Sequence, residues 1–120
     1  MIDHLNIGVA DVAASRAFYE RALAPLGYVV LMDRPYGVGF GQDGKPDFWI
    51  SDRPTSAPLH VAFASPDRST VDAFHRAALA AGARDNGPPG LRTEYHAMYY
   101  GAFVLDPEGN NVEAVTHVPE

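Results

Sequence analysis

The sequence predicts an α+β fold built of two βαβββ modules, and three observations carry that reading. Residues 4–23 align without a gap on residues 60–79 at an offset of 56, which places His4 on His60, Asp11 on Asp67 and Ala17-Phe18 on Ala73-Phe74. The ends of the halves also correspond, at an offset of 65, with Phe40-Gly41-Gln42-Asp43-Gly44 on Leu105-Asp106-Pro107-Glu108-Gly109. The second half is therefore nine residues longer, between its helix and its last strands. Each half also reads in order as a strand, a helix and three further strands. A duplicated module with a ligand-type residue at equivalent places builds a two-sided site, which points to a small molecule or a metal.

In the first module (residues 1–52), Ile2 to Val9 reads as a strand with Leu5, Ile7 and Val9 on one face and His4 and Asn6 on the other. Asp11 is a good N-cap for a helix over Val12 to Ala24, ended by Pro25 and Gly27. Strands over Tyr28 to Asp33, Tyr36 to Gly41 and Asp47 to Ser51 follow, separated by Arg34-Pro35 and Gln42 to Pro46. Arg53 to Pro58 links the modules. In the second module (residues 58–118), LHVAFAS is the first strand, and Ser65-Pro66-Asp67 supplies an N-cap, an N1 proline and a first-turn acid. The helix runs to Ala81, with Val71, Phe74 and Ala78 on one face and Gly82 past its end. A strand near Ala83 to Asp85 leads into Asn86 to His96, which reads as an irregular loop. Strands over Met98 to Leu105 and Asn111 to Thr116 close the module.

Composition narrows the function. A formal net charge of −6 with Lys45 as the single lysine argues against nucleic acid or an anionic membrane as partner. It is compatible with a cationic ligand. The absence of cysteine removes disulfides, thiol nucleophiles and thiolate metal sites. No apolar run reaches the roughly 18 residues needed to span a bilayer, and no signal pattern opens the chain. The expectation is a cytoplasmic protein.

Strand alternation puts His4, His60 and Glu113 on faces opposite their apolar neighbours. Each of the three alone reads more simply as a half-buried histidine or an edge charge. Together, in one phase on duplicated strands, they read as a 2-His-1-carboxylate metal site with open positions, suited to Fe2+, Mn2+ or Zn2+, with Ni2+ also compatible.

The pattern IDHLNIGVAD…LHVAFAS…AFVLDPEGNNVEAV resembles the vicinal oxygen chelate superfamily, which includes glyoxalase I, fosfomycin-resistance proteins, bleomycin-resistance proteins and extradiol dioxygenases. The resemblance covers essentially the whole chain. It implies curved mixed sheets around a central cavity, with metal ligands on the first and last strands of each module, here His4, His60 and Glu113. The offset of 65 puts Phe48 at the fourth ligand place. A three-ligand set looks more like the fosfomycin-resistance and extradiol branches than like glyoxalase I. In the families the chain resembles, the two modules of a site come from one chain or from two, and the six-residue linker favours modules exchanged between protomers and hence a homodimer.

Around the metal, Phe48 and Ile50 are expected to form an apolar wall for substrate, with Trp49 packed behind them. Either Tyr99 or Tyr100 faces the cavity, where it would bond a substrate oxygen or act as an acid. Arg92 and His96 sit in the nine-residue excess, where a lid is expected, and Arg92 suits a ligand carboxylate or phosphate. His75 reads as a helix-packing residue and His117 as solvent-facing. The leading reading is a metal-dependent enzyme, a lyase, isomerase, transferase or dioxygenase, that chelates two neighbouring oxygens of a small substrate. The alternative is a non-catalytic protein that sequesters a cationic drug, as bleomycin-resistance proteins do. No residue is assigned a catalytic role beyond metal binding.

Overall fold

A computed structural model describes residues 1–55 and 58–120. The linker Arg53 to Pro58 is thus described only in part, since residues 56 and 57 lie outside the described set. The first module consists of β1 (Leu5–Gly8), α1 (Val12–Ala22), a 3-10 turn (Ala24–Leu26), β2 (Val29–Arg34), β3 (Gly37–Gln42) and β4 (Lys45–Ser51). The second consists of β5 (His60–Ala64), α2 (Arg68–Ala80), β6 (Arg84–Leu91), β7 (Tyr100–Leu105) and β8 (Asn111–Thr116). The two four-stranded mixed sheets have the orders β1-β4-β3-β2 and β5-β8-β7-β6. They are curved and not closed, as two βαβββ modules require.

Both helices begin the same way. Asp11 accepts from the Ala14 N–H at 3.0 Å, and Asp67 from the Thr70 N–H at 2.8 Å, satisfying donors that have no partner inside the helix. The second N-cap is therefore Asp67, not Ser65, whose hydroxyl instead donates to the Asp67 carbonyl. The first helix ends at Ala22, because Pro25 enters the 3-10 turn and Gly27 closes it with a left-handed φ of 86°.

One face of each sheet packs against the helices. Ile7, Val9, Phe48, Ile50, Val104, Val112 and Ala114 are buried there with Phe18, Tyr19, Val71 and Phe74 from the helices. Phe63 joins the two modules, packing edge-on to Phe48 and to Tyr28. Arg21 on α1 adds a bond to the Ala80 carbonyl at the end of α2. The residues between these core positions on each strand face away from the helices. The sites lie on those faces.

The segment read as a loop from Asn86 is largely strand. β6 continues through Gly87-Pro88-Pro89-Gly90 to Leu91 along β7, with register breaks at Asp85/Gly87 and Gly87/Gly90. Proline is tolerated because β6 is the sheet edge and the breaks remove the ladder bonds it would need to donate. The true excursion is the short turn from Arg92 to Tyr99, closed by the Arg92 N–H bonding the Tyr99 carbonyl at 2.8 Å. Among the described residues, no helix is long and apolar enough to cross a membrane.

Candidate metal centre and substrate face

On the open face of the second sheet, His60 and Glu113 come together. The β5–β8 register sets Ala62 opposite Glu113, so His60 lies two residues along the same face of β5. The His60 Nε2 is 2.7 Å from Glu113 Oε1, and the Tyr99 hydroxyl donates to Glu113 Oε2. The Glu113 side chain is wholly buried, whereas the His60 ring is 53% exposed. A buried carboxylate needs partners for both oxygens, and Tyr99 and His60 provide them. Burial and the Glu113 carboxylate push the Tyr99 phenol well above its usual range, so it remains a donor. Gly101 leaves room for the pair, since a Cβ there would stand 3.1 Å from Glu113 Oε2 and 3.2 Å from the Tyr99 ring.

His60 opens onto a cavity of about 380 Å³, whose walls include Asn86, Arg92, Glu94, Tyr95 and Phe103. Arg92 lies over the Phe103 ring, 5.4 Å from its centroid, and donates to the Pro88 carbonyl at 2.6 Å. His96 is held away from this wall. Its Nδ1 accepts from the Met98 N–H, and its ring meets His117, which in turn packs edge-on to Tyr99. The His117 ring is therefore part of the support behind Tyr99, a role its place near the chain end did not suggest.

His4 occupies the equivalent place in the first module, just before β1. It faces a second cavity of about 380 Å³, lined also by Asn6, Tyr36, Lys45, Trp49 and Arg53. The His4 Nδ1 is 2.8 Å from Asp3 Oδ1. Within one chain, His4 is not brought to His60 and Glu113. Among the described residues, no group of three His, Asp or Glu side chains forms a metal-binding cluster. The two histidines line separate cavities, one in each module.

The substrate-wall residues of the first module differ from expectation. Phe48 is 2% exposed and packs against the rings of Tyr19, Phe40 and Phe63, while Ile50 is wholly buried in the same core. Trp49, expected behind them, is the side chain that faces the His4 cavity. Gly44 and Gly109 sit in turns of different build and are not structural equivalents. Asp43-Gly44 is a two-residue turn with φ of 55° and 76°, followed by a bulge in β4, whereas Asp106 to Asn110 forms a longer turn without that bulge. Across these features the strands realign at an offset of 64, which places Trp49 on Glu113 and Phe48 on Val112. Tyr100 likewise leaves the site, since its hydroxyl bonds Asp72 on α2 at 2.7 Å and its ring stacks under Arg68. Tyr99 is the one of the two that bonds Glu113, while the tyrosine on the wall of the His60 cavity is Tyr95.

The family model for the Glyoxalase/Bleomycin resistance protein/Dioxygenase superfamily matches residues 1–114. No curated protein sequence matches the chain. Among solved structures, a glyoxalase/bleomycin resistance protein from Albidiferax ferrireducens is 26% identical with a TM-score of 0.82, over 95% of this chain and 97% of that one. A family enzyme from Burkholderia phytofirmans is 24% identical with a TM-score of 0.74, over 98% of each chain. A lactoylglutathione lyase from Agrobacterium tumefaciens is 19% identical with a TM-score of 0.73, over 97% of this chain and 92% of that one. The last two likenesses carry the fold alone. Matched over nearly its full length, the chain belongs to the glyoxalase/bleomycin resistance protein/dioxygenase superfamily.

Proposed function

We propose that the protein is a metal-dependent enzyme that holds two neighbouring oxygens of a small substrate on a divalent ion. In this reading, His60 and Glu113 of one copy meet His4 of a second copy. The observation that carries it is the contact of His60 Nε2 with a wholly buried Glu113 carboxylate, with a histidine at the equivalent place of the other module. The donor set fits Fe2+, Mn2+ or Zn2+, because imidazole and carboxylate suit these ions and a three-residue set leaves positions free. When bound, such an ion supplies Lewis-acid stabilisation of charge developing on the chelated oxygens. Tyr99 and the backbone space at Gly101 fix the carboxylate that would hold the ion.

Pairing of two copies is supported by the sheet edges. Among the described residues, β1 pairs only with β4 and β5 only with β8, so each sheet has an edge strand beside its histidine. Open edges favour pairing with another chain. A cavity of about 240 Å³ lined by Ile2 and Leu5 and by Val61 to Ala64 adjoins both edges, and Ile2 is 87% exposed.

Complementation tests both halves of the reading. His4→Ala and His60→Ala should each abolish tight metal binding. Unfolded and refolded together in equal amounts, they should recover about a quarter of the wild-type capacity, since half of the pairs are mixed and each mixed pair keeps one intact site. Light scattering should give twice the 13.0 kDa chain mass. A stable monomer, or wild type and His60→Ala binding divalent metal equally weakly, would leave the second reading, a sequestering protein without chemistry. One observation favours that second reading: His60, Glu113 and Tyr99 already satisfy one another by hydrogen bonds.

A further inference from the structure

We infer that the ligand of this site is an oxyanion, a carboxylate or phosphate attached to a flat apolar group, and that Arg92 anchors it. The inference deepens the proposed function, because it treats the His4 and His60 cavities as two walls of one site. Charge distribution is the first argument. The chain carries 15 acidic against 9 basic residues, yet the residues lining these walls include Lys45, Arg53 and Arg92 against Glu94, with Asp3 and Glu113 engaged by Lys45 and His60. A protein with surplus acid that concentrates bases on its cavity walls is arranged for an anion. The net charge alone is compatible with a cationic ligand, and the cavity walls favour an anion instead.

The setting of Arg92 is the second argument. Among the described residues it makes no ion pair, although Glu94 is two positions away, whereas Lys45 is 3.2 Å from Asp3 Oδ1. Its guanidinium is fixed by the Phe103 ring and by the Pro88 carbonyl. Two glycines leave it room, since a Cβ at Gly90 would stand 2.9 Å from Nη1 and one at Gly87 would stand 3.3 Å from Nη2. A held guanidinium with donors to spare matches the two oxygens of a carboxylate or phosphate. Phe103, buried beneath the guanidinium, backs Arg92, and the part-exposed Trp49 on the other wall offers a face for the flat part of the ligand.

Trp49 is the only tryptophan, so its fluorescence reports occupancy of the site directly. Wild-type protein freed of metal with EDTA is titrated with benzoylformate, phenyl phosphate and benzyltrimethylammonium. The two anions should quench saturably and the cation should not, with the tighter anion distinguishing carboxylate from phosphate. Arg92→Gln should weaken the anion about tenfold, the scale of one charge-assisted bidentate contact. Gly90→Ala, whose new methyl meets only the Arg92 guanidinium, should weaken it in the same direction with an unchanged melting temperature. The inference is overturned if the cation binds as tightly as the anions, or if Arg92→Gln leaves anion affinity unchanged. Metal titration of the same samples reads the enzyme proposal separately. Intact metal binding without an Arg92-dependent anion response sinks this inference alone, and the reverse result sinks the metal reading alone.

Discussion

Trp49 and Glu113 stand at the same place in the two modules. Trp49 lies opposite Asn6 in the β1–β4 register and Glu113 opposite Ala62 in the β5–β8 register, and Asn6 and Ala62 are themselves repeat equivalents. The two modules have exchanged bulk across neighbouring strands. In the second, the ring is Phe103 on β7 beside the carboxylate. In the first, Gly39 on β3 makes room and the indole lies over it, its nearest atom 2.8 Å from where a Cβ would be.

This equivalence separates two neighbouring substitutions. Trp49→Glu should add a fourth ligand, the second anionic one, to the proposed site and tighten divalent-metal binding by tenfold or more, with a modest fall in melting temperature. Phe48→Glu should bury an unpaired carboxylate among Tyr19, Phe40 and Phe63 and destabilise the fold by about 4 kcal/mol or more, without any gain in metal affinity. Metal titration paired with thermal melts distinguishes them. Tighter metal binding by Phe48→Glu than by Trp49→Glu would contradict the register.

Much of this arrangement is legible in the sequence, for a physical reason. His4, His60 and Glu113 each interrupt an apolar alternation that burial enforces, and Leu5, Ile7, Val61, Phe63, Val112 and Ala114 all fall on the helix side as the period requires. Turns are not enforced in this way. A two-residue turn plus a bulge occupies the same length as a longer turn, so a glycine shared by sequence marks no shared position, and a slip of one residue moved the wall from Trp49 to Phe48. Tyr99 and Tyr100 present both phases at once, and the partner decides: Glu113 takes one and Asp72 the other. Bulges hide the alternation of β6 altogether.

The two modules are also joined by a polar bond in the core. The Tyr19 hydroxyl donates to Asp106 Oδ2, while Asp106 also accepts from the N–H groups of Glu108 and Asn110 and from the Asn110 side chain. Tyr19→Phe keeps the ring packing and removes one donor from a buried carboxylate. It should cost about 1–3 kcal/mol in urea unfolding, since a charged acceptor loses one of four partners. A neutral result would mean that water replaces the hydroxyl.

Alkaline stability should fall in a defined window. Burial, reinforced by the bond to Asp47 at 3.0 Å, pushes the Tyr28 phenol from its ordinary 10.0 to about 12. The folded state therefore keeps a proton that the unfolded chain releases. The corresponding stability is fully present below pH 10 and is lost as pH rises from about 10 to 12. Tyr28→Phe should lower stability at neutral pH and flatten this alkaline decline. Denaturant melts at several values of pH check it, and an identical alkaline slope in wild type and variant would refute it.

The final prediction concerns the support of Glu113. Gly101 has no left-handed backbone requirement, so alanine is conformationally acceptable there, but its methyl group would stand 3.1 Å from Glu113 Oε2 and 3.2 Å from the Tyr99 ring. Both distances are tighter than ordinary contact, and the carboxylate is wholly buried while Tyr99 is only partly so. The side chain able to yield is Tyr99. Gly101→Ala should therefore displace Tyr99 from Glu113, loosen the carboxylate and weaken metal binding about tenfold, the range seen when an outer partner of a metal ligand is lost. Tyr99→Phe, which removes the hydroxyl without the crowding, should weaken it to a similar extent. If Gly101→Ala weakens binding and Tyr99→Phe does not, the effect lies in crowding of the carboxylate itself, and Tyr99 has no part in holding the ligand.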